Sequence, residues 1–187
     1  MFTFKQFVVK QDKCGMKVCI DSCIFGASTM VLPNQKVLDI GTGTGLLSLL
    51  LAQKAKLHID AIEIDKEAFL QASQNINESP FTENIKTHHS TLAAFEETDY
   101  DLIICNPPFY SGQLSSPDPQ RNRAMHQESL KLEDLALEIN QKLNKNGLAH
   151  ILLPPTEMAH FKTLMKPLGF STSREIHIKH NPVKSPF

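Results

Sequence analysis

No stretch of this 187-residue chain approaches the roughly 18 consecutive apolar residues of a membrane span, which argues against a helical membrane protein. The opening residues MFTFKQFVVK carry neither an apolar core of signal-peptide length nor a small-residue cleavage pattern, so a cytoplasmic location is expected, with no membrane partner. Charge of one sign is not in excess: 19 Lys and Arg against 20 Asp and Glu give a formal net charge of −1. Bulk electrostatics therefore argue neither for nor against a nucleic-acid partner, and phosphate contacts would have to come from local clusters. Arg121 with Arg123 is one such cluster; Lys5 with Lys10, Lys13 and Lys17 is another, although a scattered basic face is more often solvated surface. Cysteine is scarce. Cys14, Cys19 and Cys23 are spaced C-x4-C-x3-C, without a C-x2-C pair or a fourth ligand at a familiar offset, and Cys105 stands alone. They read as reduced, half-buried small residues, and no metal is expected. Internal repeats and low-complexity tracts are also lacking, and a single domain suits this length.

What is present is a regular alternation of short apolar strands and helices. Residues 1–30 are mixed; Phe2, Phe4 and Phe7 alternate with polar residues, predicting a short strand or hairpin, with a helix from Ile20 to Met30. Strands are predicted at 36–40, 59–64, 85–89, 100–105, 148–153 and 173–178. Helices are predicted at 46–54, 66–77, 129–143 and 157–168. The helix 129–143 carries an apolar stripe of Leu132, Leu135, Ile139 and Leu143 and is expected to stop at Asn146-Gly147, where positive φ is tolerated; Gly169 closes the next one. Strands alternating with helices imply an α/β fold with a parallel sheet, right-handed crossovers, and a ligand beyond the C-terminal strand ends.

Two motifs fall at such ends. The strand 36–40 runs into Asp39-Ile40-Gly41-Thr42-Gly43-Thr44-Gly45-Leu46, where three glycines at alternate positions let the backbone turn tightly and approach a ligand. The following helix offers its N-terminal amides and positive dipole end. Leu46 stands where a dinucleotide fingerprint needs its third glycine, and D-x-G-x-G-x-G instead resembles the first motif of class I S-adenosylmethionine methyltransferases. Glu63 sits where an acidic ribose ligand is expected, about 20 residues on. Asp65 follows two residues later and is a second candidate for the ribose, unless it caps the helix that begins at Lys66.

The second motif, Asn106-Pro107-Pro108-Phe109, directly follows the strand 100–105. Two prolines stiffen the loop and keep Asn106 out of helical geometry. The Asn106 side-chain oxygen and the Pro107 carbonyl can then accept both hydrogens of a planar NH2 group. Such a nitrogen is a poor nucleophile because its lone pair is delocalised; two acceptors draw it toward tetrahedral geometry by orientation and preorganised electrostatics. Phe109 offers a flat face for a base, worth about 1–3 kcal/mol if stacked. A base in an RNA loop avoids the cost of flipping from a duplex.

N-P-P-F marks amino-methyltransferases of class I. The flanks FTFKQFVVKQDKCGMKVCIDSCIFGA and RNRAMHQESLKLEDL make the chain similar to the bacterial valine-tRNA adenine-N6 methyltransferase family, which methylates the adenine just 3′ of the anticodon. The resemblance implies a class I, Rossmann-like three-layer sandwich with a mostly parallel sheet; class I folds usually add a C-terminal antiparallel strand, and here either the sequence is short of it or the sheet lacks it. It implies S-adenosyl-L-methionine as cofactor and the tRNA anticodon loop as partner. Residues 1–30 would form an N-terminal segment or lid, and 31–187 the methyltransferase domain. Lys17 and Asp21 would line the cofactor pocket with Asp39, Gly41, Gly43, Gly45, Glu63 and Asn106. Thr91 stands where class I enzymes often carry an Asp for the cofactor's adenine, and Cys19-Ile20 where this family usually has Gly-Thr. Asn106, Pro107, Pro108 and Phe109 would be catalytic; Phe109, Tyr110, Arg121, Arg123 and His126 would meet the substrate.

Three other readings compete. A release-factor glutamine methyltransferase would use the same acceptors, but typically has Tyr after the prolines and a helical N-terminal domain. An enzyme acting on guanine in ribosomal RNA or adenine in DNA is another. A non-catalytic cofactor-binding module would bind the cofactor without turnover.

Overall fold

The computed structural model describes residues 1–107 and 130–179. Its elements in chain order are β1 (Phe2–Thr3), β2 (Val8–Val9), α1 (Ile20–Ser28), β3 (Lys36–Ile40), α2 (Leu46–Ala52), β4 (His58–Glu63), α3 (Lys66–Asn77), β5 (Ile85–His89), β6 (Tyr100–Cys105), α4 (Leu132–Lys142), β7 (Leu143–Ile151) and α5 (Pro155–Met165). Two compact units are present among the described residues: 1–106 with 141–152, and 107 with 130–140 and 153–179.

The first unit holds a five-stranded parallel sheet in the order β5-β4-β3-β6-β7. The chain builds outward from β3 through β4 to β5, then returns to β6 on the other side of β3. The switch in strand order therefore lies between β3 and β6, where open α/β sheets place their ligands. The register pairs Ile40 with Cys105, so these two strands leave the sheet at the same level. Continuous apolar strands suit a sheet covered on both faces: Val37, Leu38, Ile103 and Ile104 are all inaccessible to within 1%. Every residue of α2 is buried, as its leucine-rich sequence requires.

The N-terminal aromatics do form the expected hairpin, with Phe2 opposite Val9 and Thr3 opposite Val8. Phe7 stacks on Phe4 at 4.7 Å and meets Phe81 edge-on at 6.3 Å, while Phe7 and Val9 join the main core. At the end of α1, the Lys54 ammonium donates to the carbonyls of Gly26, Ala27 and Thr29 at 2.7–2.9 Å. That helix has no basic residue in its own last turn, so Lys54 supplies the missing cation.

Two expectations are corrected. Asn146-Gly147 does not stop a helix: α4 ends at Lys142, and β7 begins at once and runs through both residues. Gly147 is not among the positive-φ glycines. Its lack of a side chain serves close approach, because a Cβ there would lie 2.6 Å from Leu143 Cγ and 2.8 Å from the Tyr100 carbonyl oxygen. β7 carries a bulge in this stretch, pairing Leu143 with Tyr100 but Leu148 with Leu102. The strand expected at 173–178 is absent; residues 171–179 form no regular element. Its alternating residues 173–177 are exposed, and Glu175 is engaged instead by Lys162 at 2.7 Å. Alternation without a neighbouring ladder leaves a strand's backbone groups unpaired.

In the second unit, α5 starts earlier than expected, at Pro155, a residue suited to the first helical position. A 3-10 turn at Lys166–Leu168 follows, closed by Gly169 at φ +89°. Of the α4 stripe, Leu135 and Ile139 are buried, as is Ala136.

Candidate active site

The glycine loop leaves β3 through three left-handed residues, Gly41, Gly43 and Gly45, at φ +67°, +57° and +80°. L-residues with a Cβ pay roughly 1–2 kcal/mol for that conformation, which explains the spacing of the glycines. Gly41 and Thr42 both donate to the Ile62 carbonyl at 3.0 Å, drawing the loop over the end of β4. Beneath it, Asp39 is fully buried. Its Oδ2 accepts from Thr42 Oγ1 and Ser48 Oγ at 2.7 Å and from the Ser48 amide at 3.2 Å; its Oδ1 has no partner among the described residues. Burial pushes the Asp39 carboxyl up to about 6 from the ordinary 3.8, against the three hydrogen bonds that favour its charge.

Glu63, the last residue of β4, turns its carboxylate toward backbone amides. Oε2 accepts from Gly43 at 2.8 Å, and Oε1 accepts from Ile64 and Asp65 at 2.9 and 3.0 Å. A carboxylate offers about four lone-pair sites, so the one left open is on Oε2, beside the loop. Asp65 is the cap of α3, accepting from the Ala68 amide at 2.8 Å. Thr91 Oγ1 accepts from the Ala94 amide at 3.1 Å and is exposed.

Asn75 does work that its sequence position did not suggest. On the buried face of α3, it accepts from the Lys10 amide at 2.9 Å and donates to the Lys10 and Thr44 carbonyls at 2.8 Å. One side chain thus ties the N-terminal segment to the glycine loop. Its signal was a polar residue on the helix face that also buries Ala68, Gln71, Ala72 and Ile76. The N-terminal segment continues past Cys14, whose thiol burial and the nearby Glu63 and Asp65 carboxylates push up to about 11. It reaches Met16, then exposed Lys17, then half-buried Asp21 in the first turn of α1. Lys10 and Lys13 are paired with Glu78 and Glu67, at 2.8 and 3.9 Å, and so are partly neutralised.

Asn106 follows β6 on the strand next to the glycine loop. Its Nδ2 donates to Ser22 Oγ at 3.1 Å and reaches Met16 Sδ at 3.7 Å. No described donor meets its Oδ1, which is left as an acceptor. Pro107 is buried. Pro108, Phe109, Tyr110, Arg121, Arg123 and His126 lie outside the described residues. Among the described residues, no three His, Cys, Asp or Glu side chains gather as a metal site, and no helix is long and apolar enough to cross a membrane.

Residues 24–133 match the methyltransferase small domain family. A tRNA1(Val) (adenine(37)-N6)-methyltransferase of Dyadobacter fermentans is 44% identical over 188 residues, covering 100% of this chain and 78% of that protein. Its counterpart from Cytophaga hutchinsonii is 40% identical over 187 residues, covering 98% and 79%. The chain belongs to this methyltransferase family. Among solved structures, a methyltransferase from Pyrococcus furiosus superposes with a TM-score of 0.62 at 25% identity, covering 86% of this chain and 77% of that one. A ribosomal protein L11 methylase from Lactobacillus delbrueckii subsp. bulgaricus gives a TM-score of 0.62 at 18% identity over 85% and 72%, a likeness of fold.

The fold is thus the class I, S-adenosylmethionine-dependent methyltransferase fold, and its loop suits that cofactor. A Cβ built on Gly41 or Gly43 meets nothing within 4 Å, so both face open space at the switch point. Glu63 keeps one acceptor site there, and the unpartnered Asp39 Oδ1 adds buried negative character below.

Proposed function

We propose that this chain methylates the exocyclic N6 of adenine 37 in valine tRNA, as the names of its relatives describe for those proteins. The observation that supports it is the state of Asn106: its amide nitrogen is occupied by Ser22 and Met16, and no donor among the described residues meets its oxygen, at the end of the strand adjoining β3.

Gly41, Gly43 and Gly45 would admit the cofactor to the backbone, Glu63 would take a ribose hydroxyl, and Thr91, Lys17 and Asp21 would complete the pocket over the Asp39 anchor. S-adenosylmethionine supplies a methyl group on a positively charged sulfur. Asn106 Oδ1 accepts one hydrogen of the adenine amine and the Pro107 carbonyl accepts the other, which localises the nitrogen lone pair for in-line attack. Neither acceptor is a base at neutral pH, so the proton leaves to water after transfer, once the nitrogen has become cationic. By the family resemblance Pro108 would belong to the catalytic loop, Phe109 and Tyr110 would hold the base, and Arg121, Arg123 and His126 would meet the anticodon loop. Residues 1–30 act as the lid, joined to the glycine loop through Asn75.

The test is methyl transfer from labelled S-adenosylmethionine to unmodified tRNA, with nucleosides identified by mass spectrometry. N6-methyladenosine beside the valine anticodon is expected. Asn106→Ala should lower turnover by about 100-fold or more, the scale of losing one preorganised polar contact. Unlabelled tRNA together with a methylated release-factor glutamine or ribosomal RNA would replace this reading.

A further inference from the structure

We propose that Ser22 of α1 is a positioning residue for methyl transfer, because it selects which way the Asn106 amide faces. This rests on the reading of Asn106 as the acceptor for the target amine. An asparagine amide can be turned over with little change of shape, and only one orientation presents oxygen to an amine. Three observations bear on the choice. The Asn106 nitrogen lies 3.1 Å from Ser22 Oγ. The same nitrogen lies 3.7 Å from Met16 Sδ, and a thioether can only accept, so the reversed amide would set two acceptors against each other. Ser22 Oγ also lies 3.0 Å from Cys19 Sγ; with the hydroxyl hydrogen directed at that sulfur, Ser22 faces Asn106 with lone pairs only, and the reversed amide oxygen would find no donor there. Ser22 is 5% exposed on the face of α1 that also buries Phe25 and Gly26, so water does not compete freely for this contact.

The helix preceding the sheet thereby governs the chemistry after β6, from 84 residues away. In the full-length chain, Ser22→Ala should lower kcat by about three- to tenfold, the factor carried by one net hydrogen bond. KM for tRNA and for S-adenosylmethionine should stay within about twofold. In an Asn106→Asp background both sides of the side chain present oxygen and no orientation needs choosing, so adding Ser22→Ala should change kcat by less than about twofold. A merely structural role would lower kcat alike in both backgrounds, and that result overturns the inference; so does a kcat for Ser22→Ala within about twofold of the parent. Should Asn106→Asp lack measurable turnover, the 15N resonance of the Asn106 side chain decides. Its amide protons should exchange several-fold faster in Ser22→Ala, and unchanged exchange overturns the inference. Full activity in Asn106→Ala is a different outcome, which removes the catalytic reading itself.

Discussion

Replacing Asn75 by alanine tests whether the N-terminal segment and the glycine loop are held by one side chain. The substitution removes three hydrogen bonds of 2.8–2.9 Å. The Lys10 amide and carbonyl are half-buried and can recover part of the loss from water, at about 1 kcal/mol each. The Thr44 carbonyl is bonded in a buried setting and loses its partner outright, at about 2 kcal/mol. The sum is about 4 kcal/mol. For a chain of this size each kcal/mol moves the melting temperature by about 2–4 °C, so a fall of about 8–16 °C is expected in a circular-dichroism melt. Asn75→Asp should be no better, since it turns the donor facing two carbonyls into a third acceptor. Thr44 belongs to the cofactor loop, so calorimetric affinity for S-adenosylmethionine should fall in the same variants. A melting temperature within about 1 °C of the parent, or an Asn75→Asp variant of parental stability, would refute the reasoning.

Three further outcomes follow from the same geometry. The Asp39 carboxyl is held up at about 6 against 3.8 in the unfolded chain, so the native state binds the extra proton between those values and stability falls as pH rises through them. Urea unfolding of the parent minus Asp39→Asn should therefore lose roughly 2 kcal/mol from about pH 4 to about pH 7; a flat difference contradicts the assignment. Gly147→Ala should cost about 1–3 kcal/mol through collision with Leu143 and the Tyr100 carbonyl, with cofactor affinity retained; denaturant midpoints and calorimetry together check this. Lys54→Met should cost about 1–2 kcal/mol, because three carbonyls at the end of α1 lose their cation, and added salt should narrow the gap to the parent.

How much of this was readable in advance depended on range. The bounds of α3 match the expectation residue for residue, since its cap Asp65, its buried stripe and its length are all local. The positions of the glycine turns, of Glu63 at the end of β4 and of Asn106 after β6 were legible for the same reason, since each lies at a fixed spacing from a local strand pattern. Asn75 and Ser22 were not, because their partners lie 65 and 84 residues distant for Lys10 and Asn106. Gly147 misled because glycine marks either a positive φ or a close approach, and only the position of the Tyr100 carbonyl separates the two. The stretch 173–178 misled because alternation describes a strand's faces but not the neighbour it must pair with.

The level register of Ile40 with Cys105 has a consequence for how such enzymes diversify. Neighbouring strands are spaced by backbone hydrogen bonding at about 4.8 Å, a distance that no side-chain substitution adjusts. On the proposed reading, the placement of the glycine loop relative to Asn106 is in this sense set by the sheet. If residues beyond Asn106 deliver the substrate, as proposed, changes there would leave the backbone positions of the glycine loop and Asn106 in place, and substrate range could evolve apart from that frame.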